Sequence, residues 1–330
     1  MVNPRQQWMD FVRGICILLV IFVHTTVATR DWAGLPFSKG FTVFNEFMDP
    51  FRMPLLMFLS GMLLHKSLGK STGDYMWGKF HLIFWPFLIW SMATYAAESR
   101  FTLEYILKTP ISAPSVLWYL WFLCAFYLIA LFLISYSVPL LPVIAICVIG
   151  SAFLPSLLRM DRFAALLAFF LLGHYVSSRG LAARIWVPTA LFGLVAAIVG
   201  GVIGVVGEHI KYDPLFIWVP LGLITFVLWG AAFYKTITIS GPFEWIGRNS
   251  IVFYVTHFPA LVVAARLVSP GAEWNGSVFY VLLFLWAVAV GTVLQLLRGR
   301  FSVFAALFDF RLVLKLLNIK PGPSPQVRAK

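Results

Sequence analysis

Charge is scarce in this chain. Only 12% of its 330 residues are Asp, Glu, Lys or Arg, against 61% hydrophobic residues, and a soluble domain ordinarily carries about 25% charged residues. A soluble globular enzyme is therefore excluded. Acids are scarcer still: 13 Asp and Glu stand against 25 Lys and Arg, a net charge of +12. The basic residues are scattered between apolar runs instead of forming one patch, so the excess is read as membrane topology and not as nucleic-acid binding. Cysteine is nearly absent, and Cys16, Cys124 and Cys147 all lie inside apolar runs. They are expected to pack as small apolar side chains, not to form disulfides or a metal site. His65, His174 and His209 share no metal-ligand spacing, so no metal is expected. No Gly-x-Ser-x-Gly elbow surrounds Ser60, and the glycine run at 200–207 lacks the Lys-Ser or Lys-Thr end of a phosphate loop. Gly200 and Gly204, like Ser60 and Gly61, are expected to serve close helix packing. There is no internal repeat and no candidate for a second soluble domain. The first apolar run is long and no small-residue cleavage site follows it, so the first helix is expected to stay in the protein.

What is present is a succession of apolar runs near 20 residues long, the length needed to cross a bilayer as helix. About ten are found, at residues 9–28, 44–64, 80–97, 116–135, 138–154, 163–177, 186–206, 214–234, 249–267 and 278–297. In the second, the uninterrupted apolar part, 53–64, is short enough to be re-entrant. The expected fold class is all-α, a polytopic membrane protein. An even number of spans puts both termini on one side. That side holds fifteen Lys and Arg against three acids, and the other holds nine against nine. Both termini are therefore expected to be cytoplasmic. Residues 1–300 form the membrane domain. Residues 301–320 are apolar but broken by Asp309, Arg311 and Lys315, as expected of a cytoplasmic interfacial helix, and 321–330, with PGPSP, of a disordered tail. Oligomeric state is not legible.

Within the first run stand two costly residues, Arg13 and His24. Ionisable side chains inside a spanning helix mark functional sites by default. Eleven residues at about 100° each return to within about 20° of the starting direction, so the two share a face, about 16.5 Å apart along the axis. Asp10 lies three residues before Arg13 and can pair with it. Two bland roles stay open: Arg13 snorkelling to the interface with Asp10, and His24 capping the opposite end. A transporter or flippase using Arg13 and His24 as substrate or proton-relay residues is a second functional class. An envelope-assembly subunit without chemistry is a third.

The segment DFVRGICILLVIFVH, Asp10 to His24, resembles the Arg, ten residues, His signature of the integral-membrane acyltransferase family 3. FRMPLLMFLSGMLL (51–64) resembles that family's second span, LWYLWFL (117–123) its Trp-Phe-Leu segment, and GRNSIVFYVTHFP (247–259) its late Asn-Ser, Tyr and His segment. The four blocks stand in family order along the chain. The resemblance implies transfer of an acyl group, usually acetyl, from cytoplasmic acyl-CoA to a hydroxyl of a cell-envelope or exported carbohydrate or glycolipid. It also implies a bacterial inner membrane, a co-substrate and no permanently bound cofactor, and Arg13 and His24 at the active centre.

Arg suits the anionic end of such a donor, being permanently charged and able to grip phosphate at two points. His suits the acceptor end, since its ordinary pKa of about 6.5 allows it to take a hydroxyl proton near neutrality. An acyl-histidine intermediate is the rival mechanism. The chain departs from the family before the third span: where many members carry two arginines it has Lys79 and His81, ahead of Trp85 and Pro86. Lys79 and His81 are the expected donor contacts, with an ordinary positive loop as the alternative. Glu46, Asp49 and Arg52 lie at the His24 end of the second span. Either Glu46 or Asp49 orients the imidazole or binds acceptor hydroxyls, or both are interfacial charges. Asn249, Tyr254 and His257 form a polar file that either lines the cavity or joins helices by hydrogen bonds.

Overall fold

The computed structural model describes residues 4–110, 113, 116–155, 159–181, 185–207, 211–236, 239–268 and 274–319. All regular structure among them is helical. Helix α1 (Pro4–Val27) runs on through a π-helical turn, Ala28–Trp32. Then come α2 (Lys39–Met62), α3 (Leu64–Leu68) and α4 (Thr72–Lys79), which continues through a second π turn, Phe80–Phe84, into α5 (Trp85–Ala97). A short α6 (Leu103–Lys108) precedes α7 (Trp118–Ser135), α8 (Leu140–Ser151), α9 (Met160–Ser178) and α10 (Val187–Val206). Helix α11 (Trp218–Gly230) lies between 3₁₀ turns at Pro214–Phe216 and Ala231–Thr236. The chain ends in α12 (Gly241–Arg248), α13 (Ser250–Arg266), α14 (Gly276–Arg300), α15 (Ser302–Ala306) and α16 (Phe310–Leu316). Starts are set where sequence chemistry places them: Ser38, Ser71 and Asn275 accept first-turn backbone N–H groups of α2, α4 and α14.

Each of the ten apolar stretches holds a helix. Among the described residues, six helices are long and apolar enough to cross a membrane: Gln7–Trp32, Thr72–Ala97, Trp118–Ser135, Val187–Val206, Pro214–Tyr234 and Gly276–Arg300. Leu140–Ser151 and Ser250–Arg266 are apolar but shorter. The second stretch is one continuous helix, with no re-entrant break at Pro50 or Pro54. Every residue from Pro50 to Met62 is buried, and α2 packs against α1, α9, α10 and α11. Apart from Arg52 and Ser60 this stretch is apolar all round, as a helix in an interior is, and here that interior is the middle of the bundle.

Helix α2 meets α9 backbone to backbone. A Cβ placed on Gly61 would stand 1.8 Å from the Phe170 carbonyl oxygen, and one on Gly173 would stand 2.0 Å from that of Phe58. Only glycine fits both crossings, as small residues do where membrane helices touch.

Contacts sort the helix ends into two groups. The first gathers the ends of α1 and α2 near His24 and Asn45, the start of α14, and the segment before α11, through Asn45 to Thr26, Ser38 to Ser277 and Lys211 to Asp49. The second gathers the start of α1, α12, the α4–α5 junction and the C-terminal helices. The expected single helix at 301–320 is two short ones. Asp309 accepts from the Arg311 backbone N–H at 3.0 Å and caps α16, so the acid that interrupts the apolar run starts a new helix. Phe310 packs on Trp77, Phe80 and Trp85, and the Trp85 indole donates to the Ala306 carbonyl at 2.8 Å. Residues 320–330, which include the expected tail, lie outside the described residues.

Replacing Gly61 or Gly173 by Ala is expected to lower the thermal stability of the detergent-solubilised protein by about 1–3 kcal/mol, the usual cost of overpacking. Gly78→Ala, where an added Cβ meets nothing within 4 Å, is expected to leave the melting curve unchanged or slightly raised. Equal behaviour of all three in a fluorescence-detected melt would contradict the backbone crossing.

Candidate active site

Arg13 and His24 lie on α1, one toward each group of helix ends, about 16.5 Å apart by helix rise. At its end of the helix Arg13 pairs with Asp10 at 3.5 Å, both half-buried. The backbone there is held by α12: a Cβ on Gly14 would lie 2.0 Å from the Phe243 carbonyl oxygen, and one on Gly247 1.7 Å from that of Asp10. On this side of the molecule the Lys79 ammonium sits over the Tyr127 ring, 3.6 Å from the ring centre. Lys79 also donates to Ser67 at 3.1 Å and lies 5.3 Å from the Tyr75 ring. It is half-enclosed by aromatic faces, which hold a cation by their ring quadrupole. His81 does not join it. Its ring is buried, its Nδ1 is 2.5 Å from the Trp77 carbonyl, and its neighbours are the Trp77 ring and, through space, Asp309 and Arg311.

At the other end His24 meets His257, with Nδ1 of His24 2.8 Å from Nε2 of His257. His257 is completely buried. Beside them runs a chain of polar contacts through the interior. Thr26 accepts from the Asn45 amide at 2.8 Å, and the Tyr280 hydroxyl lies 3.2 Å from Thr26 and donates to the Phe22 carbonyl. The Asn45 carbonyl accepts from Arg52 at 3.2 Å, Arg52 pairs with Asp49, and Lys211 donates to Asp49 at 2.6 Å. Arg52 is 3% exposed. One carboxylate thus serves two cations, and these three side chains, of which Arg52 is buried while Asp49 and Lys211 are 33% and 30% exposed, carry one positive charge in excess. Through Asn45 the cluster reaches Thr26, two residues from His24 on α1. Burial draws the Lys211 ammonium below the ordinary lysine range, Asp49 opposing the effect and Arg52 adding to it. An excess of positive charge at the imidazole end can stabilise negative charge that develops on a reacting oxygen.

A cavity of about 540 Å³ opens beside this cluster, lined by Ser151, Asp161, Lys211, Tyr212 and Asp213 among others. The Tyr212 hydroxyl and one Asp161 carboxylate oxygen are closed off from the surface of this cavity, without a hydrogen-bond partner among the described residues. Burial raises the Tyr212 phenol well above its usual range, so the hydroxyl is kept as a donor. Polar atoms left in this state cost free energy unless a ligand or water meets them.

The other expected site residues divide. Asp49 is in the cluster. Glu46 is exposed, about 100° around α2 from the face that carries Asn45, Asp49 and Arg52, and does not approach His24. Tyr254 lies between the two ends, its hydroxyl donating to the Val116 carbonyl at 2.7 Å and its ring 5.8 Å from that of His257. Asn249 starts α13 at the Arg13 end and donates to the Trp245 carbonyl at 2.8 Å, away from His24. The Ser60 hydroxyl donates to the Leu56 carbonyl and faces Tyr119. Sequence reading did not find Asn45, Lys211, Tyr212 or Asp161. Positions 45, 49 and 52 share a helix face by their spacing, a signal that was available for Asn45. Lys211 reaches Asp49 across 162 residues, and no local pattern announces such a contact.

A family model described as an acyltransferase domain matches residues 6–296. The chain is also similar to the inner membrane protein YcfT of Escherichia coli (strain K12), 23% identical over an alignment that covers 91% of this chain and 94% of that protein. No solved structure matches it.

Asp49→Asn is expected to destabilise the protein by an amount near the lower end of the roughly 3–5 kcal/mol that breaking a buried ion pair costs, because two cations lose their counter-charge. Glu46→Gln on the exposed face is expected to change stability by less than about 0.5 kcal/mol. Thermal melts of the two variants check the difference.

Proposed function

The chain belongs to the acyltransferase-domain family, and from that membership we propose that it is a membrane O-acyltransferase. It moves an acyl group, acetyl in the first instance, from cytoplasmic acyl-CoA to a hydroxyl of a cell-envelope or exported carbohydrate or glycolipid. In this proposal the chain crosses a bacterial inner membrane ten times with both termini in the cytoplasm, in keeping with the distribution of Lys and Arg and with the printed name of its relative. Acyl-CoA is a co-substrate, and no cofactor is held permanently.

The observation that carries the reading is the division of labour along α1. Arg13 sits at one end with the Lys79 ammonium on the same side, and His24 sits at the other against His257, at the end that holds the Arg52, Asp49 and Lys211 cluster. Arg13 holds donor phosphate as a permanent cation, and Lys79 adds a second point charge. His81, covered by the C-terminal helices, is left out of the donor site. The acceptor sugar enters at the His24 end through the cavity that Lys211 lines, and the Lys211 ammonium meets its hydroxyl groups. His24 removes the proton from the reacting hydroxyl, or first takes the acyl group itself. Arg52 and Lys211 favour the negative charge that develops on oxygen in either route.

Purified protein in lipid is incubated with acetyl-CoA and envelope oligosaccharides while free thiol and acylated sugar are followed. His24→Ala is expected to lower kcat by about 10²-fold or more, the contribution of a placed acid–base group. Arg13→Ala is expected to raise KM for acetyl-CoA at unchanged melting temperature. Undiminished product from His24→Ala would remove that residue from the reaction. Movement of a solute across vesicles with no thioester consumed would establish a transporter in place of an enzyme.

A further inference from the structure

The His24 and His257 rings define where each proton resides. His257 directs Nδ1 at two backbone carbonyls, Tyr254 O at 2.6 Å and Phe253 O at 3.2 Å. A carbonyl oxygen only accepts, so this Nδ1 carries a hydrogen. In a neutral imidazole the second nitrogen then has a lone pair and no proton. That nitrogen, Nε2, lies 2.8 Å from His24 Nδ1. The rings are within 21° of coplanar with centres 5.0 Å apart, the edge-to-edge placement in which an N–H meets a ring lone pair. His24 Nδ1 must therefore be the donor. The reactive lone pair of His24 is left on Nε2, the nitrogen directed away from His257.

We propose that His257 is a positioning residue that fixes His24 in the Nδ1–H tautomer and so presents Nε2 as the reacting atom. The inference deepens the acyl-transfer reading and rests on it for its consequence, though not for its geometry. When the acceptor O–H bond breaks and a new N–H bond forms at Nε2, His24 becomes a cation with protons on both nitrogens. Its Nδ1–H to His257 bond needs no rearrangement and gains strength as a charge-assisted hydrogen bond. The acceptor oxygen attacks the thioester carbonyl, the C–S bond breaks, and the departing thiolate takes the proton back from Nε2. If His24 carries the acyl group instead, the same Nε2 is the atom that bonds to it. His257 never changes protonation: a hydrogen on its Nε2 would oppose the Nδ1–H of His24, and its own Nδ1–H stays on the helix backbone. The aromatic side chains in contact with the pair are apolar or already satisfied. Phe258 presents its edge to His24 at 5.7 Å, and the Tyr254 hydroxyl is engaged by Val116.

Two variants and one spectroscopic readout test this. His257→Gln keeps an acceptor oxygen for His24 Nδ1–H, and His257→Phe keeps a planar ring of similar breadth and removes the acceptor. In protein labelled with ¹⁵N-histidine and held in lipid bilayers, the His24 signals are identified as those lost in His24→Ala. The expected wild-type result is a protonated Nδ1 and an unprotonated Nε2, retained in His257→Gln and lost in His257→Phe. Turnover at saturating acyl-CoA is expected to fall by about 10²–10⁴-fold in His257→Phe, the scale set by a wrong tautomer in a histidine base. It is expected to return to within about tenfold of wild type in His257→Gln, with KM for acyl-CoA unchanged in both. A wild-type His24 protonated on Nε2 would overturn the proposal, as would full turnover in a folded His257→Phe. If His257→Phe does not fold, the wild-type spectrum and the Gln variant decide. The spectrum requires no turnover, so a failure of acyl transfer itself would be seen separately from a failure of the tautomer.

Discussion

A guanidinium that is 3% exposed cannot be neutralised by losing its proton, and it has no water to turn to. Arg52 is that group, and the His24 end of the molecule is arranged around it. Asp49 and Asn45, one and two turns earlier on the same face of α2, supply its acceptors. Lys211 closes the cluster from a distant segment, and Asn45 passes the network to Thr26 and Tyr280. The result ties α1, α2, α14 and the segment before α11 into one polar assembly. Stripping Arg52 of water costs several kcal/mol, and its partners Asp49 and Lys211 stay 33% and 30% exposed, so the cluster is a poor way to stabilise a fold. It is a sound way to hold a positive potential beside His24.

The opposite end of α1 uses a different device. The backbones of α1 and α12 touch at Gly14 and Gly247, which sets the height and rotation of Arg13, and Lys79 is steadied by aromatic faces instead of by a carboxylate. Between the two ends lie Tyr254, Tyr119 and Ser60, each with its hydroxyl engaged. One helix therefore carries a cationic end and an imidazole-bearing end on a single face, the face along which the donor's acyl arm would reach His24 in the proposed reaction.

Much of this was legible in the sequence for local reasons. Apolar run length gave the helices, because a helix satisfies its own backbone and needs only a run of suitable side chains. The eleven-residue interval gave the shared face of Arg13 and His24, because helical periodicity is a local property. Asp49 was found through its position near the end of a span, while Glu46, three residues before it, proved to face outward, since end position does not specify rotation. The C-terminal segment split at Asp309 because a residue that interrupts an apolar pattern can equally cap a new helix. His257 was placed in a polar file without its partner being visible. Its contact with His24 spans 233 residues and, like that of Lys211 with Asp49, is fixed by how helices pack and not by what lies beside it in the chain.

The central claim is that donor and acceptor meet this protein from opposite sides of one membrane, at the two ends of α1. Proteoliposomes with the protein in a single orientation test it most directly, with acetyl-CoA supplied on the face of the termini and an envelope oligosaccharide enclosed on the other. Free thiol is expected on the donor side and acylated sugar on the acceptor side, with neither formed when the two compartments are exchanged. Acylation only when donor and acceptor share one face would contradict it.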